Sequence, residues 1–417
     1  MPVFSNTTTV NEIFFGPLQG LAVASPFHYP CRELDDELWL LLGVDRVLKS
    51  ARSGRGFLQE HAPSRVDALG HSTYFASLNS PRRQQLAGDV NEQLMAVATP
   101  LLRDRLDHIP ELARYEVFAV DGHWHQAATH DPRHEGQKMA VGHFHSLNLR
   151  NHLLRPLAVG EGLHEHDISV LKRLKPSGLR QKVAKGRRVL AVYDRASIDY
   201  GFWKRCRQEC AVYFLSRTKE GLVFEWISSR LWNRNDPRNR GISDDRQVLT
   251  PEGHGLRVIH YTDPLTGKFY EFLTNDMELS PGVLAELYRR RWEIEKVFDE
   301  LKNQLEERKA WGTGLDIRRL QGHLTALTHN LMVIYEQHLE RAHGVQNIAE
   351  DRRRETRLDE LKDIAAQTCR GLSSLLLSGR RATQRSIKFL RWLRHALATN
   401  LAETLAVTRL RRLYARL

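Results

Sequence analysis

The feature that most constrains the fold is where the strand-like runs fall. Short apolar stretches at Val117–Val120, Met139–His145, Leu153–Val159 and Val189–Tyr193 gather in the middle of the chain. A second set follows at Ala211–Ser216, Leu222–Ile227, Leu256–Tyr261 and Phe269–Thr274. Before Glu116 apolar residues recur at helical spacing, as in Leu34–Leu41, Val44–Lys49 and Val90–Leu102, with breaks read at Gly43, Gly54 and Gly56. From Pro281 onward the spacing is helical again. Runs such as Val117–Val120 and Val189–Tyr193 are apolar at every position, the pattern of strands covered on both faces. The chain therefore predicts an α/β protein, a mixed sheet core carrying a β-rich insertion, flanked by helical N- and C-terminal regions. A helix-like stretch, His164–Leu174, precedes the run at Val189, and the arginine-laden stretch Ser228–Arg246 reads as a loop.

At 417 residues the chain exceeds one compact module, given roughly 100–200 residues per domain. Five segments are expected: a helical domain over 1–112, the first part of the core over 113–210, the insertion over 211–268, the second part of the core over 269–345, and a basic helical region over 346–417. An apolar fraction of 41% with 27% charged residues rules out wholesale disorder. No apolar run approaches the roughly 20 residues of a membrane span, and Met1–Val10 lacks the basic start of a secretory signal. Cys31, Cys206, Cys210 and Cys369 form no CxxC pair, which points to reduced thiols in a cytosol-like compartment.

The net charge of +12 is unevenly placed. From Arg380 to Leu417 ten Lys and Arg face the single acid Glu403, whereas residues 1–105 hold ten basic and eleven acidic side chains. Such a basic pole is either a contact for a polyanion, nucleic acid first of all, or a solvated helix face without a partner.

Three carboxylates stand out. Asp121 follows Val117–Val120 and Asp194 follows Val189–Tyr193, where a sheet delivers side chains to its rim. Singly, each reads better as a turn or helix cap. The third lies on the helix expected from Ser280 and Pro281, a good N-cap and first-turn residue. Stepping about 100° per residue from Tyr288 places Arg291, Glu295 and Lys302 within an arc of about 60°. Leu287, Ile294, Val297, Phe298 and Leu301 occupy a separate apolar arc, and Arg289, Glu293, Lys296, Asp299 and Glu300 a third. Neighbouring Arg and Glu would stabilise a surface helix, but that leaves a tyrosine and two cations around one acid unexplained. Two strand-end aspartates and a helix glutamate can instead hold a pair of divalent ions for displacement at phosphate. Hard oxygen ligands select Mg²⁺, with Mn²⁺ as a substitute, and Arg291, Lys302 and the Tyr288 hydroxyl would grip phosphates near the scissile bond.

The string Tyr288-x2-Arg291-x3-Glu295-x6-Lys302 resembles the Tyr-Arg-Glu-Lys signature of bacterial insertion-sequence DDE transposases of the cut-and-paste type. Its setting, Leu287–Glu295, is similar to that family's wording, as is the Asp-Arg-x-x-x-Asp-Tyr block at Asp194–Tyr200; Ala119–Gly122 is less distinctive. The likeness covers roughly 115–340. It implies a ribonuclease-H-like catalytic core interrupted by the insertion, with Asp121, Asp194 and Glu295 holding two Mg²⁺ ions. It further implies excision of a DNA element and joining of its 3′ ends to target DNA, by a homodimer that holds two inverted-repeat ends in a synaptic complex. The setting would be the bacterial cytoplasm, associated with the nucleoid and not with membrane. In some relatives a tryptophan of the insertion stacks on a flipped base. Trp232, amid Arg230, Arg234, Arg238 and Arg240, is the better candidate for a DNA contact, while Trp226 reads as core.

A non-catalytic DNA-binding regulator descended from such an enzyme is the main alternative, and a ribonuclease-H-like nuclease without strand transfer a third. His123, His125, His130, His134, His143 and His145 match no compact zinc-finger spacing; backbone or phosphate contacts suit them better. Arg46, Lys49, Arg52 and Arg55 are either part of a DNA-end recognition element or a solvated helix end, and Cys206 and Cys210 read as packing residues.

Overall fold

The computed structural model describes residues 8–31, 34–49, 53–65, 70–128, 140–162, 165, 167–195, 198–264, 266–305, 308–345 and 370–415. Among them nine strands form one mixed sheet in the order β3-β2-β1-β4-β5-β9-β8-β7-β6. β1 (Tyr115–Gln126) and β3 (Leu154–Val159) each run antiparallel to β2 (Ala140–Asn148), which lies between them. β4 (Arg188–Val192) and β5 (Val212–Arg217) run parallel to β1. This is the ribonuclease-H-like arrangement, extended by a meander of β6 (Glu225–Ser229), β7 (Ile242–Leu249), β8 (Gly255–Thr262) and β9 (Phe269–Thr274), with β9 antiparallel to β5. β5 is thus continuous with the parallel core strands, although the sequence reading opened the insertion at residue 211.

Strand parity divides the sheet into two faces. Val117, Ala119, Leu190, Val192 and Leu215 join the large core shared with the N-terminal helices, the glutamate helix and the long helix Leu315–His343. Phe118, Val120, Val189, Ala191 and Tyr193 face the other way, against Phe202, Trp203 and Cys206 of the helix Tyr200–Cys210. Burial pushes the Cys206 thiol up to about 12, in keeping with a packing residue. The large core also takes in Phe389, Leu393 and Leu410 from the helices Arg370–Ala398 and Glu403–Ala415, so both helical flanks pack onto one side of the sheet.

Several local expectations change. The first long helix runs unbroken through Gly43 from Asp36 to Leu48. A Cβ there would meet the Leu324 side chain, Cδ2 at 2.7 Å, so the glycine marks a close helix crossing and not a break. The stretch read as a loop from Ser228 contains β7, whose Asp245 is buried against Arg257 of β8 at 2.6 Å. Trp226, read as core, is 61% exposed on β6, the strand at the sheet's edge. Arg46 is buried and stacks 3.8 Å over the Trp311 ring, which removes it from any DNA-facing set; Arg52 lies outside the described residues. Among the described residues no helix is long and apolar enough to cross a membrane.

Candidate active site

β1 and β4 pair in parallel up to Ala119 and Val192. Asp121 and Asp194 each lie two residues further on, at the same level of adjacent strands. By parity both continue the row of Val117, Ala119, Leu190 and Val192, on the face beneath the glutamate helix. β4 stops before its aspartate, but β1 does not: it passes Asp121 and continues to Gln126, paired with β2 and, at Gln126, bridged to Lys309. Asp121 therefore sits where the parallel neighbour ends rather than at the strand's end.

The glutamate helix is two α-helical pieces, Pro281–Arg290 and Trp292–Asp299, followed by a π-helical turn, Glu300–Gln304. Leu287, Tyr288, Ile294 and Phe298 anchor it to the sheet. Gly282 is demanded by the loop after β6, since a Cβ would lie 2.0 Å from the Arg238 carbonyl oxygen. Asn239 Oδ1 accepts from Gly282 N at 2.8 Å, so the loop that carries Trp232 is tied to the helix's start.

Arg291, at the joint between the pieces, is 4% exposed and spans two of the three acids. Its guanidinium donates to Asp121 Oδ2 at 3.2 Å and to Glu295 Oε1 at 2.6 Å. Asp121 Oδ1 accepts from Gly122 N at 2.8 Å. Burial works against the Arg291 charge, but the Tyr288 hydroxyl, Asp121 and Glu295 outweigh it and hold its pKa above the usual value. Tyr288 is buried, its ring 4.9 Å from that of Phe272. Burial raises its hydroxyl pKa; Arg291 opposes that and Asp194 adds to it, so the phenol lies within electrostatic reach of the second aspartate. Asp121, Asp194, Tyr288, Arg291 and Glu295 thus share one face of the sheet.

Lys302 is exposed but lies in the π turn, where stepping 100° per residue no longer holds. Its carbonyl accepts from Arg308 Nε at 2.9 Å, and Gln126 N donates to Arg308 O at 2.7 Å, so Lys302 stands over the far end of β1. Trp232 is half-buried under Arg234, 5.1 Å from its ring, in the loop at the start of the glutamate helix.

His123, His125, His143 and His145 all fall on the same face just beyond Asp121. Their rings interlock, with His123 to His125 at 4.4 Å, His125 to His143 at 4.3 Å and His123 to Phe298 at 5.0 Å. All four are buried, and burial drives the pKa of His125 and His143 well below the ordinary value. They are packed groups, and of the backbone or phosphate contacts expected His145 makes the first kind, its Nδ1 lying 3.2 Å from the His143 carbonyl oxygen; His130 and His134 lie outside the described residues. One support was missed: Glu293, assigned to the polar sector of the helix, is buried and paired with His152 in the turn between β2 and β3. No periodicity in the sequence links those two residues.

A mixed five-strand core with acids at one level of β1 and β4, beneath a helix carrying a third, defines a class of nucleic-acid-processing domain. The chain belongs to the DDE transposase family: residues 113–331 match the model of the transposase DDE domain. Over 148 residues it is 25% identical to the Sinorhizobium fredii (strain NBRC 101917 / NGR234) protein named "Putative transposase y4zB", a match covering 34% of this chain and 41% of that protein. The chain thus spans less than half the length of that relative.

Proposed function

We propose that this protein is a DNA transposase that cleaves the ends of a mobile element and joins them to target DNA. The observation that supports it best is the arrangement of Asp121, Asp194 and Glu295 on one sheet face, with a buried cationic guanidinium already spanning two of them. A pocket of oxygens that satisfies one cation fits others, and a pure carboxylate donor set suits Mg²⁺ or Mn²⁺. Asp121, Asp194 and Glu295 would hold two such ions, which supply activation of the attacking oxygen and stabilisation of the leaving oxygen.

The chain's own residues do the rest. Arg291, which pairs with Asp121 and Glu295 in the metal-free chain, would turn its guanidinium to phosphate oxygens once ions take those carboxylates. The Tyr288 hydroxyl, kept protonated, donates a hydrogen bond from beneath. Lys302, exposed past the end of the helix, offers a mobile positive charge to the next phosphate along the strand. Trp232 and the arginines of its loop give a base-stacking and backbone contact beside the same helix. The N-terminal helices recognise the element ends, and the basic C-terminal helices serve DNA binding, dimerisation or both. Two copies hold two ends in a synaptic complex, within the bacterial cytoplasm.

The test incubates the purified chain with Mg²⁺ and linear DNA carrying the ends that flank its own gene, and reads strand cleavage and end joining. Cleavage and joining are the expected result. Tight binding of those ends without cleavage, in Mg²⁺ and in Mn²⁺, would favour the alternative of a DNA-binding regulator descended from a transposase.

A further inference from the structure

Away from the carboxylate site, three distant parts of the chain meet at one corner. The long helix ends at His343, where Gly344 caps it with φ 62°. The last helix begins at Glu403, whose amide donates to the Thr8 carbonyl at 3.0 Å, and Thr9 bridges to Ala402. His338 and His343 come down on the Glu403 carboxylate from the long helix. His338 Nε2 lies 2.8 Å from Oε1 and His343 Nε2 3.1 Å from Oε2. One ligand atom from each of the three residues falls within 4.8 Å of the others.

We propose that His338, His343 and Glu403 form a binding site for Zn²⁺ or a cation of like character, and that the ion clasps the C-terminal helix to the core. Zinc donors at about 2.0–2.2 Å in a tetrahedron stand about 3.3 Å apart, so the separations of 2.8 and 3.1 Å need only small shifts of side chains. Two imidazoles and one carboxylate leave a fourth position for water, and nitrogen donors separate this site chemically from the all-carboxylate one. The surroundings support the set. The Tyr335 ring stacks on His338 at 6.0 Å, fixing it, and the buried Tyr335 hydroxyl has no hydrogen-bond partner among the described residues. That hydroxyl lies within electrostatic reach of Glu403 and can donate to the carboxylate once the imidazoles turn to the metal. Arg411 donates to the His343 carbonyl, holding that residue in place. Without an ion His338 Nε2 is hydrogen-bonded to Glu403, but the buried His343 Nε2 has no hydrogen-bond partner among the described residues; with one, both nitrogens and the carboxylate bind the metal.

The experiment titrates metal-stripped full-length protein with ZnCl₂ against a chromophoric chelator, and follows thermal unfolding with zinc or with EDTA. One zinc per chain is expected, with a higher melting temperature in zinc than in EDTA. The affinity should fall at least about tenfold in His343→Gln and in Glu403→Gln, while Glu295→Gln keeps both binding and stabilisation. Absence of stoichiometric zinc overturns the proposal. So does unchanged affinity in both clasp variants, or stabilisation lost in Glu295→Gln, which would place the ion among the active-site acids. If a clasp variant does not fold, Co²⁺ decides on the Glu295→Gln background: four-coordinate visible absorption supports the site, and a six-coordinate spectrum refutes it.

Discussion

The centre of the sheet and its β6 edge are built to opposite rules. In the centre, β1, β4 and β5 bury side chains on both faces, with Val117, Ala119, Leu190 and Val192 on one and Phe118, Val120, Val189 and Ala191 on the other. At the outer end, β6 leaves Trp226 61% and Ile227 44% exposed, and the loop after it carries Leu231 and Trp232 among arginines. The inner strands are packed from both sides, so an acid placed on them is fixed in position. Among the described residues no second layer covers Trp226 and Ile227 of the outer strand, so these side chains are available to a partner. One continuous backbone thus offers a rigid platform for chemistry and an adaptable surface for contact.

The largest effect expected from breaking this contrast lies on the platform. Glu295→Gln should reduce DNA cleavage by on the order of 10⁴-fold, as for a member of a catalytic set. Its urea-unfolding free energy should change by less than about 1 kcal/mol, because the side chain is 32% exposed. A comparable loss of stability in that variant would make Glu295 a structural residue. Next, Leu190→Ala, at a site with no exposure, should cost about 2–5 kcal/mol of stability. Ile227→Ala on the outer strand should cost under about 0.5 kcal/mol; equal costs in urea titrations would erase the distinction between centre and edge.

Acid should attack the same packed side. Burial pushes His323 and His329 down to about 4, and His329 Nε2 donates to the His152 carbonyl at 3.0 Å. Their ordinary value is about 6.5, so between pH 6.5 and 4 the unfolded chain binds more protons than the folded one. Stability is complete above that window and falls as pH drops through it, by roughly 1.4 kcal/mol per pH unit for each histidine. Unfolding curves at pH 7 and pH 5 should show this, with a shallower dependence in His323→Leu; an unchanged slope would mean that His323 already carries its proton in the fold. The smallest effect belongs to the outer surface. Trp232→Ala should weaken DNA binding by about 1–3 kcal/mol in fluorescence anisotropy and leave the melting temperature unaltered.

What could be read from the sequence follows the same division. Runs that are apolar throughout announced β1 and β4 and, with them, the positions of Asp121 and Asp194. The helical period placed Arg291 and Glu295 together, because an i,i+4 pair stays adjacent across the joint in the helix. It does not carry through to Lys302, since a π turn intervenes and periodicity assumes one helical pitch. β7 was read as loop because its buried members include Asp245, whose partner Arg257 is twelve residues away and leaves no local apolar signal. The histidines concealed the length of β1, for a polar residue buried neutral looks in sequence like a residue meant for water. Arg46 deceived in the same way, its charge lying over Trp311 from a distant part of the chain. Trp226 failed in the opposite direction, an aromatic residue read as core that the sheet's edge leaves uncovered.

The central claim is that Asp121, Asp194 and Glu295 make one metal site. Mn²⁺ binding, followed by electron paramagnetic resonance on the wild type and on Asp121→Asn, Asp194→Asn and Glu295→Gln, tests it most directly. Each single substitution should weaken Mn²⁺ binding at the same site without unfolding the chain. Wild-type affinity in any one of the three folded variants would remove that residue from the metal site and contradict the account.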